Sequence, residues 1–70
     1  MGSRIGSYEY ELLLYDLMRR LTERQKEILK YLREGFSETE IGRFLGMSQQ
    51  AVSKQRNAIQ VVAQEVLATP

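Results

Sequence analysis

Gln50, Ser53, Lys54 and Asn57 form a polar set that contains no acidic side chain. The amides of glutamine and asparagine donate and accept hydrogen bonds together, serine does both through its hydroxyl, and lysine is a cationic donor. No carboxylate lies anywhere between residues 41 and 64. Donor-rich, acid-free surfaces suit hydrogen bonding to base edges and to phosphate oxygens.

The composition argues against catalysis. The 70-residue chain contains no histidine and no cysteine, so it lacks the commonest general base, the commonest metal ligand and a thiolate nucleophile. It also has no glycine-rich phosphate loop and no carboxylate pair that the sequence places in a cleft. We therefore predict that the protein is not an enzyme and needs neither a metal nor another cofactor.

The charge is small but unevenly distributed. The formal net charge is +1, and seven basic and eight acidic residues occupy residues 1–40. Residues 41–70 contain Arg43, Lys54 and Arg56 against the single acid Glu65. A weakly basic surface of this kind predicts modest affinity for a polyanion, with a steep dependence on salt.

The elements that carry these side chains are predicted to be helices. Strand-type alternation is absent and helix formers dominate the sequence. We predict one all-α domain of four helices, over about Tyr8 to Arg20, Glu23 to Arg33, Glu38 to Leu45 and Gln49 to Leu67. The first helix is apolar, with an inward stripe of Leu14, Leu17, Met18 and Leu21.

Two capping boxes and two glycines mark the helix ends. Thr22 with Gln25, and Ser37 with Glu40, have the spacing in which each side chain satisfies the other residue's backbone N–H. Gly35 and Gly46 supply left-handed stops after the second and third helices.

The spacing of small and apolar residues from Gly42 to Val52 is typical of a helix-turn-helix. Gly42 allows another helix to cross the third helix closely, Gly46 makes the turn, Met47 fills the gap between the two helices, and Val52 anchors the fourth. This geometry presents the outer face of the fourth helix to a DNA major groove.

A helical rotation of about 100° per residue separates the two faces of that helix. Ile59, Ala63 and Val66 share the side of Val52, whereas Gln50, Lys54 and Asn57 lie opposite. We predict base contacts from the opposite side and phosphate contacts from its flanks and from the N-terminus of the helix. The predicted DNA-binding residues are Arg43, Ser48, Gln49, Gln50, Ser53, Lys54, Arg56 and Asn57.

Residues Leu21 to Ile59 also resemble known families. The shared pattern is Leu-Thr-x-Arg-Gln at residue 21, Gly-x-Ser-x-x-Glu-Ile at residue 35 and Leu-Gly-Met-Ser-x-x-x-Val at residue 45. It is similar to the C-terminal domain of bacterial sigma factors (region 4, which reads the −35 element) and to the LuxR-type regulator domain. The resemblance implies sequence-selective binding of double-stranded DNA by the fourth helix.

The two resemblances differ in what else they imply. A sigma-type domain implies contact with RNA polymerase. Gln55 stands where sigma domains usually have an apolar residue, and in this respect the chain is closer to LuxR types. Sigma domains also carry more basic residues in and after the recognition helix. Gln55 itself is better interpreted as a partly buried structural amide than as a base reader.

The remaining expectations concern organisation and partners. We predict a flexible N-terminus over residues 1–7, of which the first three are typical of a cloning remnant, a domain over residues 8–67 and a frayed end over residues 68–70. Tyr8, Tyr10, Tyr15, Leu12 and Leu13 either complete the core or, with Val61, Val62 and Leu67, form the seam of a homodimer. No membrane segment or signal peptide is expected, so a cytoplasmic location is predicted.

Two alternative interpretations stay open. The polar set could be an ordinary solvated helix face, with Arg43 and Arg56 as solubilising charges. The scaffold could also be an adaptor that docks on RNA polymerase or a phage-packaging protein, with DNA contact secondary.

Overall fold

The computed structural model describes the backbone of residues 2–68 and the side chains of residues 10–68. Within this range the fold is all-α, as predicted, and its four helices are α1 (Gly2–Arg20), α2 (Glu23–Arg33), α3 (Glu38–Leu45) and α4 (Gln49–Ala68). None of these helices is long and apolar enough to span a membrane.

The predicted bounds of α2 and α3 are confirmed because specific caps define them. In both capping boxes, Thr22 with Gln25 and Ser37 with Glu40, the side-chain and backbone hydrogen bonds are present in both directions. α1, by contrast, begins at Gly2, six residues before the predicted start at Tyr8. The apolar stripe of this helix, from Leu14 to Leu21, predicts that a helix is present but does not specify where it starts.

The C-terminal end is also slightly longer than predicted, since α4 continues through Ala68. Of the end that was predicted to fray, Thr69 and Pro70 lie outside the described residues. The proposed domain boundaries stay a prediction.

The core lies where α2, α3 and α4 meet. Ile28, Ile41 and Val52 have no solvent exposure, and Leu21 and Ile59 are buried beside them. Leu17 and Met18 of α1 pack against this cluster. Each helix therefore contributes the inward stripe that its apolar spacing predicts.

A second apolar cluster joins α2 to α3. The rings of Tyr31, Phe36 and Phe44 are mutually in contact, with centroids 5.1 to 5.8 Å apart. Edge-to-face pairs of this kind add stabilisation beyond the burial of area. Phe44 nevertheless keeps 50% of its surface exposed.

An apolar groove opens between α1, the end of α2 and the end of α4. Its volume is about 240 Å³, and its lining includes Tyr10, Leu13, Leu29, Arg33, Val66 and Leu67. Along α4 this groove lies about 25 Å from Gln50, given the helical rise. The chain therefore presents an apolar surface at the end of α4 remote from the turn.

Candidate nucleic-acid interface

The turn between α3 and α4 is held by backbone geometry. Gly46 has φ 67° and ψ 34°, a left-handed conformation that favours glycine. The backbone N–H of Met47 donates to the carbonyl of Gly42 at 2.8 Å. Met47 is half-buried and packs against the core; that it fills the gap between the two helices stays a prediction.

Gly42 is required for a different reason. A Cβ at this position would lie 2.5 Å from the carbonyl oxygen of Met47 and 3.6 Å from the backbone of Ser48. The prediction of a close approach to α3 is confirmed, but the close neighbour is the backbone of the turn. The body of a crossing helix, which the spacing had suggested, is not what lies there.

α4 begins directly after this turn. The hydroxyl of Ser48 accepts a hydrogen bond from the backbone N–H of Ala51 at 3.1 Å, which is the geometry of a helix N-cap. Val52, in the first turn of α4, is fully buried. The turn and this anchor together fix the direction in which α4 leaves the core.

Three side-chain contacts fix α4 and the turn against the other helices. The Nε2 of Gln25 donates to Oε1 of Gln55 at 3.0 Å, across α2 and α4. The guanidinium of Arg24 lies 3.4 Å from the carbonyl of Leu45, at the end of α3. Gln55 is thus a half-buried structural amide, as predicted.

The third contact crosses α3 and α4. An Nη atom of Arg56 lies 3.3 Å from Oε2 of Glu38. Arg56 is therefore paired with an acid, and its predicted contact with a phosphate would have to compete with Glu38.

The opposite side of α4 is open to solvent. Gln50, Lys54 and Asn57 are all exposed, and each is about 140–200° from Val52 around the helix. We call these three residues the polar face. Lys54 makes no hydrogen bond or ion pair with any side chain in residues 10–68.

The other predicted contact residues surround the polar face. Ser48 and Gln49 are exposed at the N-terminus of α4, and Ser53 is half-buried on its flank. Arg43 is exposed in the last turn of α3. The structure thus brings the predicted residues to the turn and the first half of α4, while their contact with DNA stays a prediction.

Glu40 is a capping residue, as the sequence indicates. Hydrogen bonds with the backbone and the hydroxyl of Ser37 hold the pKa of Glu40 below its ordinary value, and Arg43 lowers it further. Glu40 is therefore ionised near neutral pH, and its carboxylate is directed to the N-terminus of α3.

Sequence reasoning missed Arg24 and Glu38. Arg24 is 21 residues from Leu45, and Glu38 is 18 residues from Arg56. Neither pair lies within one helix, so no spacing rule links its members. Only the packing of α2 and α4 on α3 brings them together.

Comparison with known proteins gives one match. A family described as "Sigma-70, region 4" matches residues 11–57, which include most of α1, all of α2 and α3 and the first half of α4. No curated protein and no solved structure matches the chain significantly. The match confirms the sigma-type resemblance, and the LuxR-type resemblance stays a prediction.

Proposed function

Because this chain belongs to the Sigma-70 region 4 family, we propose that it is a sequence-specific, DNA-binding transcription regulator in which α4 is the recognition helix. The observation that carries this proposal is the exposed polar face, Gln50, Lys54 and Asn57, directly after a turn held by Gly42 and Gly46. A major groove admits one α-helix, and the polar face is presented away from the core.

The chemistry of the polar face suggests how it would read bases. Gln50 and Asn57 can each donate to N7 and accept from N6 of an adenine, whose major-groove edge offers that pair. Lys54 can donate to O6 or N7 of a guanine, or to a phosphate. Each such base contact is worth about 1–3 kcal/mol of discrimination.

Phosphate contacts would position the helix. Ser48 and Gln49 lie at the N-terminus of α4, where free backbone N–H groups favour an anion. Arg43 and Arg56 flank the polar face and suit the two sides of the groove. Arg24 of α2, whose guanidinium reaches the carbonyl of Leu45 at the end of α3, is a further candidate for a phosphate contact.

The test is a selection of bound sequences from a pool of randomised duplexes. We expect an enriched motif of a few base pairs for the wild-type protein, lost in a Gln50→Ala/Lys54→Ala variant. The matched control is Gln60→Ala/Gln64→Ala, which removes exposed side chains from the later part of the same helix. If the wild-type protein enriches no motif, the proposed function is wrong.

A specific observation favours a second role, as an adaptor. Leu12 and Tyr15 are 53% and 70% exposed, and Tyr10 and Leu67 at the groove are also more than half exposed. Exposed apolar surface of this kind is typical of protein interaction sites. RNA polymerase, which the sigma-type family membership suggests, and a phage-packaging protein are the candidate partners.

Partner capture separates the two roles. Stoichiometric capture of one protein, together with duplex affinity no higher than that of a weakly basic control domain, would favour the adaptor. The same apolar surface supports the homodimer expected from the sequence, in which two copies of the polar face would read half-sites about one turn of DNA apart.

A further inference from the structure

The cations around the polar face differ in how much of their charge is already neutralised within the chain. Between residues 41 and 64 the cations are Arg43, Lys54 and Arg56. Arg56 lies 3.3 Å from Glu38, whereas Arg43 and Lys54 form no ion pair within residues 10–68. Glu38 lies in the first turn of α3.

Glu38 and Arg56 are not equivalent members of their pair. The side chain of Glu38 is 22% exposed and that of Arg56 is 52% exposed. Glu38, on α3, is therefore the more buried member of the pair, and the long side chain of Arg56 reaches it from α4. An acid at the first turn of α3 also interacts favourably with the helix dipole.

The pair has a direct consequence for polyanion binding. Binding to duplex DNA gains free energy from each cation that displaces counterions at a phosphate. An arginine paired with a carboxylate contributes little to that count, because the pair carries no net charge. If Arg56 leaves Glu38 for a phosphate, the unpaired carboxylate then lies close to the same phosphate and repels it.

We infer that Glu38 restrains sequence-independent binding: through Arg56 it weakens the phosphate contribution to DNA affinity and leaves base reading to Gln50, Lys54 and Asn57. This inference rests on the proposed function. Phosphate contacts position a protein on any sequence, whereas base contacts discriminate between sequences. Weakening the phosphate contacts raises the share of the binding free energy that depends on sequence.

The test compares two variants with the same change in net charge. Glu38→Gln removes the acid that faces Arg56. Glu11→Gln removes an exposed acid of α1 that forms no ion pair within residues 10–68. Affinities for a selected duplex and for an unrelated duplex are measured from 50 to 300 mM salt, after circular dichroism has shown that each variant keeps its helix content.

We expect Glu38→Gln to tighten binding to both duplexes by about the same factor, roughly two- to tenfold at low salt, and to steepen the log–log salt dependence by up to about 0.9. Glu11→Gln should change the affinities and the salt dependence much less. In an Arg56→Ala background, Glu38→Gln should lose most of its effect, because its effect depends on releasing that guanidinium.

Three outcomes overturn the inference. One is a Glu38→Gln variant that binds no better than Glu11→Gln. A second is weaker binding by Glu38→Gln, which would show that Glu38 orients Arg56 toward a phosphate. The third is an undiminished gain in the Arg56→Ala background. Wild-type protein that binds no duplex at any salt concentration would instead contradict the proposed function, and the inference with it.

Discussion

The two ends of α4 are built differently. Around its first half, the turn and α3, polar side chains are exposed and the backbone is fixed by named contacts, including Gln25 to Gln55 at 3.0 Å and Met47 to Gly42 at 2.8 Å. Around its second half, apolar side chains surround a groove of about 240 Å³. One region is specified by hydrogen bonds and glycine geometry, and the other presents mainly apolar side chains.

The difference indicates which kind of recognition each region can support. Hydrogen bonds and steric fit fix orientation, which a helix needs if it is to read a groove. Apolar surface is non-directional and gives affinity for another apolar surface without setting a register. We therefore expect changes at the turn to alter DNA recognition and changes at the groove to alter association between proteins.

The largest effect is expected at Gly42. Gly42→Ala would place a Cβ 2.5 Å from the carbonyl oxygen of Met47, so the turn must shift. We expect a loss of about 1–3 kcal/mol in the free energy of unfolding, as for other overpacked sites, together with weaker DNA binding. Urea denaturation measures the first and fluorescence anisotropy the second.

Gly46→Ala is the matched control for that substitution. Apart from Gly46 and its two chain neighbours, no atom of the described residues lies within 4 Å of a Cβ at Gly46, so the left-handed backbone, φ 67°, is what opposes the substitution. We expect a cost near 1 kcal/mol. Equal destabilisation by the two substitutions would show that steric contact with the turn does not distinguish Gly42.

The next prediction concerns the groove and compares two neighbouring leucines of α1, of which Leu13 lines the groove and Leu12 does not. If the groove is the seam of a homodimer, Leu13→Lys should weaken self-association at least tenfold, about 1.4 kcal/mol. Leu12→Lys should have little effect, because Leu12 does not line the groove. Sedimentation equilibrium gives both values, and the reverse order would place the seam on the outer face of α1.

A smaller effect is expected at the amide pair between α2 and α4. Gln55→Ala leaves the half-buried Nε2 of Gln25 without its acceptor. We expect a loss of roughly 1 kcal/mol in stability, the typical net value of such a bond. Gln60→Ala, at an exposed glutamine of the same helix, should change stability by less than about 0.5 kcal/mol; equal losses would mean that the pair contributes nothing.

The smallest effect concerns acid stability at the start of α3. Since the pKa of Glu40 is lowered in the folded state, by hydrogen bonds with Ser37 above all, its stabilising contribution is present above the unfolded pKa, about 4.3. It is lost as the pH falls through the lower folded value. Between pH 6 and pH 3, the wild-type protein should lose more stability than Glu40→Gln, which keeps an acceptor without the titration. Equal losses of stability in the two proteins would show that the ionisation of Glu40 does not stabilise the fold.

The comparison also shows what the sequence could specify. Thr22 with Gln25, Ser37 with Glu40, and Gly46 act on neighbours within a few residues, and the helix ends that they predict are confirmed. The exposed polar side and the buried stripe of α4 follow from helical periodicity. The start of α1 has no capping box of this kind, and there the prediction was wrong by six residues.

What the sequence could not specify depends on contacts across the fold. The pairing of Glu38 with Arg56 joins residues 18 apart, and its effect on the charge of the polar region is invisible in a count of acids and bases. The exposure of Tyr10 and Leu67 likewise depends on how α1 packs against α4, which lies far from it along the chain. An apolar sequence segment fits burial in a core and burial at an interface equally well.

Amide chemical-shift mapping by NMR, during titration with the selected duplex, tests the central claim most directly. We predict shifts concentrated in residues 48–57 and at Arg43, with the groove residues Leu13, Val66 and Leu67 unchanged. Shifts centred on the groove, or no shifts at saturating duplex, would contradict the assignment of α4 as the recognition helix.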